Sequence, residues 1–275
     1  MKKITKRFWV ILFVVLLILL CYGLYNPLEV THYSIADDAL PSELDGYKIL
    51  QISDFHSAVF GKDQQDIIRM VREESADLIL LTGDIMDKRD TDLDNVRLLL
   101  EGIEGLAPIY AVTGNHELIN WEVYPELQKL YSQYNVTELD DSGVRIQHNG
   151  AWIYLYGISG EVGTKIFEGK DFSVSDCAEG CYGILMFHFD PYFDLIAEKA
   201  SGYSLLFAGH SHGGIIRLPL IGPLISNEHS LFPPYAGGIF EKDGLTMVSS
   251  RGLGKAVLPR FNNRPELVSV TLRKS

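Results

Sequence analysis

Five short apolar runs punctuate the chain, each ending in glycine or a polar residue: YKILQIS (47–53), ADLILLTG (76–83), APIYAVTG (107–114), YGILMFH (182–188) and YSLLFAGH (203–210). Runs of this length and composition predict buried strands. Between the first three, KDQQDIIRMVREES (62–75) sets Ile67, Ile68 and Val71 on one face, and DLDNVRLLLEGIEG (92–105) does the same with Val96, Leu99, Leu100 and Ile103. That is the spacing of amphipathic helices. The strand-helix-strand rhythm implies parallel pairing with right-handed crossovers. Later the pattern changes: VRIQHNGAWIYLYGIS (144–159) places Asn149-Gly150 between two alternating runs, and GLTMVSS and ELVSVTL add strands toward the end. Asn-Gly in that setting is a hairpin signal. An α/β domain of two stacked mixed β-sheets flanked by helices, an αββα sandwich over residues 46–275, accounts for both halves.

The first 28 residues follow another pattern. Lys2, Lys3, Lys6 and Arg7 precede a run of 21 residues, Phe8 to Leu28, without a charge. At about 1.5 Å per residue such a helix crosses the roughly 30 Å hydrocarbon layer. A cleaved signal peptide shares this outline, but no small-x-small site follows, and Leu20 stands where a lipid-modified Cys21 would need a small residue. The expectation is an uncleaved single-pass anchor over 1–28 in the cell membrane, then a tether over 29–45. The four cations stay in the cytoplasm by the positive-inside tendency, which puts the remainder outside the cytoplasm.

Once those cations are set aside, residues 29–275 hold 20 Lys and Arg against 36 Asp and Glu. A nucleic-acid-binding surface, which needs a basic stripe, is not expected. Cys177 and Cys181, four apart, make no four-ligand zinc site; a small-loop disulfide and two free thiols both stay open. The apolar, Pro- and Gly-rich segment 217–238 reads either as a loop packed over the second sheet or as a rim against the bilayer or a lipid tail.

Candidate chemistry sits at the strand ends: SDFH, TGDIMD, TGNHE, FHFD and AGHSH. Asp54, Asp84 and Asn115 lie 30 and 31 residues apart, about one strand-helix-strand unit each. Parallel strands bring their carboxyl ends to one edge, where ligands of open α/β folds bind. There Asp54 and His56, two apart, can meet His210 and His212, also two apart. Imidazole and carboxylate without clustered thiolate suit zinc, manganese or iron.

In this order DFH, GDIMD, GNHE, the lone His of FHFD, and GHSH resemble the five blocks of the calcineurin-like metallophosphoesterases, over residues 48–214. The tail RGLGKAVLPRFNNRPEL resembles the membrane-associated bacterial, YkuE/YaeI-type branch, although Ile215 stands where that branch often has Gln. The resemblance implies that Asp54, His56 and His212 hold one divalent transition-metal ion and Asn115, His188 and His210 a second, with Asp84 bridging. It also implies that His116 serves catalysis without ligating, oriented by a hydrogen bond to Asp87. Two such ions, manganese, zinc or iron, neutralise phosphate oxygens and turn a shared bridging water into hydroxide near neutral pH.

The expected activity is hydrolysis of a phosphomonoester, phosphodiester or pyrophosphate, soluble or lipid-linked. A non-catalytic docking protein that keeps metals for structure is the competing reading. Lys88, Arg89 and Arg251 are candidates to grip the phosphate, each set against an ordinary solvated or carboxylate-paired role. Glu117 reads as loop support, and His32, His148 and His229 as surface histidines.

Overall fold

The computed structural model describes residues 2–226, 230–254 and 259–275; His229 lies outside them. The first half contains α1 (Lys2–Leu24), β1 (Glu29–Asp37), β2 (Lys48–Ile52), α2 (Gln65–Glu74), β3 (Leu78–Thr82), α3 (Asp94–Ile103), β4 (Ile109–Val112), α4 (Asn115–Ile119), α5 (Tyr124–Gln133) and β5 (Val136–Glu138). After these come β6 (Ser142–His148), β7 (Ala151–Gly157), α6 (Gly160–Phe167), β8 (Tyr182–Phe189), α7 (Phe193–Ala197) and β9 (Tyr203–Gly209). The chain ends with β10 (Ile216–Leu218), β11 (Gly222–Ile225), β12 (Gly238–Lys242), β13 (Leu245–Ser249) and β14 (Glu266–Lys274).

Strand alternation builds three apolar layers. Leu78 and Leu80 of β3, Ile184 and Met186 of β8, and Leu205 and Phe207 of β9 meet between two six-stranded sheets. From the opposite face of β3, Ile79 and Leu81 pack with Val96, Leu99 and Leu100 of α3 and with Ile67 and Val71 of α2. Leu185 and Phe187 of β8 likewise pack outward with Val162 of α6 and Ile196 of α7. The result is the expected sandwich, two mixed sheets between helical layers.

The first sheet is ordered β1-β14-β2-β3-β4-β5, with β2 through β5 parallel. The second is ordered β12-β13-β9-β8-β7-β6, with β13, β9, β8 and β7 parallel and β6–β7 the anticipated hairpin. Asn149 and Gly150 both take positive φ, 50° and 97°, at its turn, as a type I′ turn requires.

Three details depart from or refine the sequence picture. Residues 29–37, placed in a tether, form β1, an edge strand parallel to β14 in full register; its alternation was too polar to read as a buried run. The first part of segment 217–238 belongs to the β10–β11 hairpin, with Leu220 and Ile221 exposed at its tip. Cys177 and Cys181 are free thiols. Among the described residues one helix, Arg7–Leu24, is long and apolar enough to cross a membrane.

Candidate metal centre

Strand ends from both sheets converge. Asp54 and His56 follow β2, Asp84 follows β3, Asn115 opens α4 after β4, His188 lies in β8, and His210 and His212 follow β9. Asp54, His56 and His212 each offer one ligand atom, all within 4.8 Å of one another, and so do Asp84, His188 and His210. Asn115 joins the second group, its Oδ1 3.0 Å from His210 Nδ1. Asp84 Oδ2 lies between the two, 3.3 Å from His188 Nε2 and 3.8 Å from His56 Nε2.

The backbone is bent to make this meeting. Asp54, His56, Asp84, His210 and His212 all have φ between 47° and 73°, a left-handed region costing a non-glycine residue about 1–2 kcal/mol. Strain of this kind collects where a function holds it in place. Here the surroundings fix it: the amide of Asp54 donates to Gly83 O (3.0 Å), that of His56 to Asp84 O (3.0 Å), and that of His210 to the Asp54 carboxylate (3.0 Å). Gly83 (φ 86°) permits the approach, since a Cβ there would stand 2.8 Å from the Gly114 amide nitrogen.

These donors fit divalent cations. Asp54 and His188 are fully buried, and Asp84 and His212 nearly so. His56 Nε2 and His212 Nε2 face each other at 3.1 Å, and buried His56 Nδ1 has no hydrogen-bond partner among the described residues. Burial pushes the Asp84 carboxyl up, but His188, His56 and His116 around it outweigh this and hold it well below the ordinary range. Burial lowers His188 in turn, and the Asp84 carboxylate overrides it, leaving the imidazole raised to about 10. The carboxylate thus draws in a positive charge, which a cation supplies without protonating the ring. His188 Nδ1 lies 2.8 Å from Thr82 O; donating there leaves Nε2 with its lone pair toward Asp84, the orientation a metal ligand needs.

Residues 47–214 match the family model described as calcineurin-like phosphoesterase. The chain belongs to this family. Metallophosphoesterase YkuE of Bacillus subtilis is 29% identical over 264 residues, spanning 90% of this chain and 86% of its own. A transmembrane protein with metallophosphoesterase domain from Danio rerio is 25% identical, spanning 97% of this chain and 63% of its own. Phosphodiesterase YaeI of Escherichia coli is 24% identical, with 86% and 84% covered. This phosphoesterase is therefore a phosphoester hydrolase of a dinuclear metal-dependent family, with clusters of side chains able to bind metal and an N-terminal helix long and apolar enough to cross a membrane.

Around the clusters the phosphoesterase departs from the expected partners of His116. Its Nδ1 stands 3.6 Å from Asp87 Oδ2, beyond a hydrogen bond, and accepts instead the amide of Lys88 at 3.0 Å. The Asp87 carboxylate is drawn off by Arg89, whose amide and Nε donate to Oδ1 at 2.9 and 2.8 Å. With Nδ1 accepting, neutral His116 carries its proton on Nε2, 3.8 Å from Asp84 Oδ2. Burial lowers the ring to about 4, so it is neutral at pH 7. Arg89 lines the cleft beside His56, and Lys88 is exposed. Arg251 is not directed at the clusters: among the described residues its guanidinium pairs with Glu29 (2.7 Å) and Glu266 and bonds Thr31.

Some supporting residues were not legible in the sequence. Arg260, almost wholly buried, donates to the carbonyls of Arg251 (2.7 Å), Gly252 (3.2 Å) and Gly254 (2.8 Å) and to His212 Nδ1 (3.1 Å). Asn263 holds the carbonyls of His212 (2.8 Å) and Gly214 (2.7 Å). Glu117, by contrast, is the loop support expected of it: it accepts the amides of Asp84, Ile85, Met86 and Gly114, tying two site loops together. Asp190 takes the hydroxyls of Ser211 and Ser249. The one available signal was polar residues lodged in otherwise apolar or glycine-rich loops.

Proposed function

We propose that Asp54, His56 and His212 hold one divalent transition-metal ion and Asn115, His188 and His210 a second, with Asp84 shared, to hydrolyse a phosphate ester or pyrophosphate in a lipid-linked substrate. The observation that carries this reading is the position of Asp84 Oδ2, within 3.8 Å of ligand nitrogens from both clusters. When bound, such a pair neutralises phosphate oxygens and lowers the pKa of a shared water.

The protein's own groups do the rest. Asp84 and Asp54 set the negative charge that draws in cations, and Thr82 fixes the His188 tautomer. His116, held by the Lys88 amide, directs Nε2–H into the site, where the neutral ring gives a hydrogen bond to the leaving oxygen and stabilises its developing charge without transferring the proton. Arg89 meets the charged end of the substrate from the cleft wall. This cleft, about 960 Å³, runs from His56 and Asp87 to Leu24 and Asn26 at the end of α1. An amphiphile whose tail remains in the bilayer can therefore present its phosphate to the metals. The four N-terminal cations favour an extracytoplasmic domain, which protease accessibility in intact cells tests.

The test of function is turnover by the full-length protein, loaded with manganese or zinc, on aryl phosphate mono- and diesters, pyrophosphate and detergent-dispersed lipid phosphates. Faster turnover of the lipid phosphates is expected. Activity on soluble esters alone removes the lipid assignment, and none on any ester, with no bound metal, removes the hydrolytic one.

A further inference from the structure

The end of α1 is hydrogen-bonded to the domain. Gly23 is buried, whereas the large apolar side chains before it in α1 are mostly exposed. A Cβ on Gly23 would enter the Phe261 ring, and its carbonyl accepts the Asn262 amide (2.6 Å) and Asn26 Nδ2 (3.2 Å). Asn26 Nδ2 also donates to Arg260 O (2.8 Å). The end of the span is thus locked to residues 260–263.

The same residues carry the β10–β11 hairpin. Ile216 bridges Phe261, the Arg217 amide donates to Phe261 O (3.0 Å), and the Phe261 amide donates to Ile215 O (3.0 Å). From Ile216 to the tip is at most about 13 Å of extended chain. Leu220 is fully exposed at that tip, and Ile221 is 62% exposed. Leu231 and Phe232, 68% and 61% exposed, lie against β11, where the Phe232 amide donates to Leu224 O (3.0 Å). No charged residue occurs between Leu218 and Ser226. A neighbouring group of large apolar side chains left in water marks a contact surface.

We propose that the β10–β11 tip, with Leu231 and Phe232, lies in the headgroup-acyl boundary of the bilayer that α1 spans. The occupant is lipid because the patch is continuous with the membrane segment: it is bonded to the residues that clamp the end of the span, within one hairpin's length. Apolar side chains enter this layer while the backbone around them keeps its own hydrogen bonds. The two contacts together fix the tilt of the domain over the membrane. The inference concerns placement alone and holds whatever the substrate is.

The test uses the full chain with Cys21→Ser, Cys177→Ser and Cys181→Ser in nanodiscs of phosphatidylcholine and phosphatidylglycerol. A fluorophore is attached through Leu220→Cys, Phe232→Cys or, as a control, Leu106→Cys. Leu106 precedes β4 and lies at the sheet edge opposite the clusters. Lipids carrying a nitroxide near the headgroup should remove most of the emission at 220 and at 232 and leave that at 106. Two positions on separate segments guard against one label disturbing its own loop. Quenching at 220 and 232 no stronger than at 106 overturns the proposal. Shielding from aqueous iodide without lipid quenching also overturns it, and assigns the patch to a second copy of the chain.

Discussion

Arg251 separates two roles that the sequence left side by side, and the structure assigns a cost to removing it. Its guanidinium joins β1 to β14 through Glu29 and Glu266, the latter only 1% exposed. Arg251→Met strands the Glu266 carboxylate in the interior. Breaking a buried pair typically costs about 3–5 kcal/mol; Arg251 is 17% and Glu29 30% exposed, so the lower end applies. A loss of about 3 kcal/mol lowers the melting temperature of a domain this size by about 6–12 °C, read from the circular-dichroism melt of the detergent-solubilised protein.

Adding Glu266→Gln to Arg251→Met should restore part of the loss, because the stranded charge is gone. The pH dependence follows from Glu29. Burial pushes its carboxyl up, but hydrogen bonds from Arg251 and Arg264 outweigh this and hold it below 4.5. A depressed carboxyl stabilises the fold above its unfolded pKa and loses that contribution as pH falls through the folded value. Glu29's share of the difference between wild type and Arg251→Met should therefore shrink below about pH 4.5. A variant that melts within about 1 °C of wild type but has a raised KM would refute the structural assignment and return Arg251 to the substrate.

Three further outcomes follow from the site. Asp84→Asn should leave at most one metal ion per chain by elemental analysis and lower turnover by more than about 100-fold, the upper range for changes outside the ligand set; two ions retained would remove the bridging role. His116→Ala should keep full metal content while turnover falls by about 10²–10³-fold, and unchanged turnover would show that its Nε2–H serves no step. Gly83→Ala places a methyl against the Gly114 amide at a φ of 86°, so it should destabilise by about 1–3 kcal/mol in urea denaturation, and an unshifted midpoint would contradict the close approach.

The meeting of the candidate ligands could be read from the sequence because they occupy strand ends. The buried runs are continuous and apolar, and each stops at an Asp, Asn or His. Parallel order then sends those residues to one edge. What escaped notice depends on contacts without a local pattern. Strand β1 is half polar because it is an edge, so its alternation did not stand out from a tether. Arg260 reaches the His212 ring 48 residues away, and Asn263 the carbonyls of His212 and Gly214 51 and 49 residues away, contacts that no spacing reveals. The His116 tautomer turns on competition between Arg89 and His116 for Asp87, a matter of ångströms. Arg251 was ambiguous because its partner Glu29 lies 222 residues away.

The central claim is that seven side chains from two sheets hold a close pair of cations, and electron paramagnetic resonance of the manganese-loaded protein tests it most directly. Two ions per chain with an exchange-coupled spectrum, as for metals about 3.5–4 Å apart, is the predicted result. One ion per chain, or two with the spectrum of isolated manganese, would contradict it.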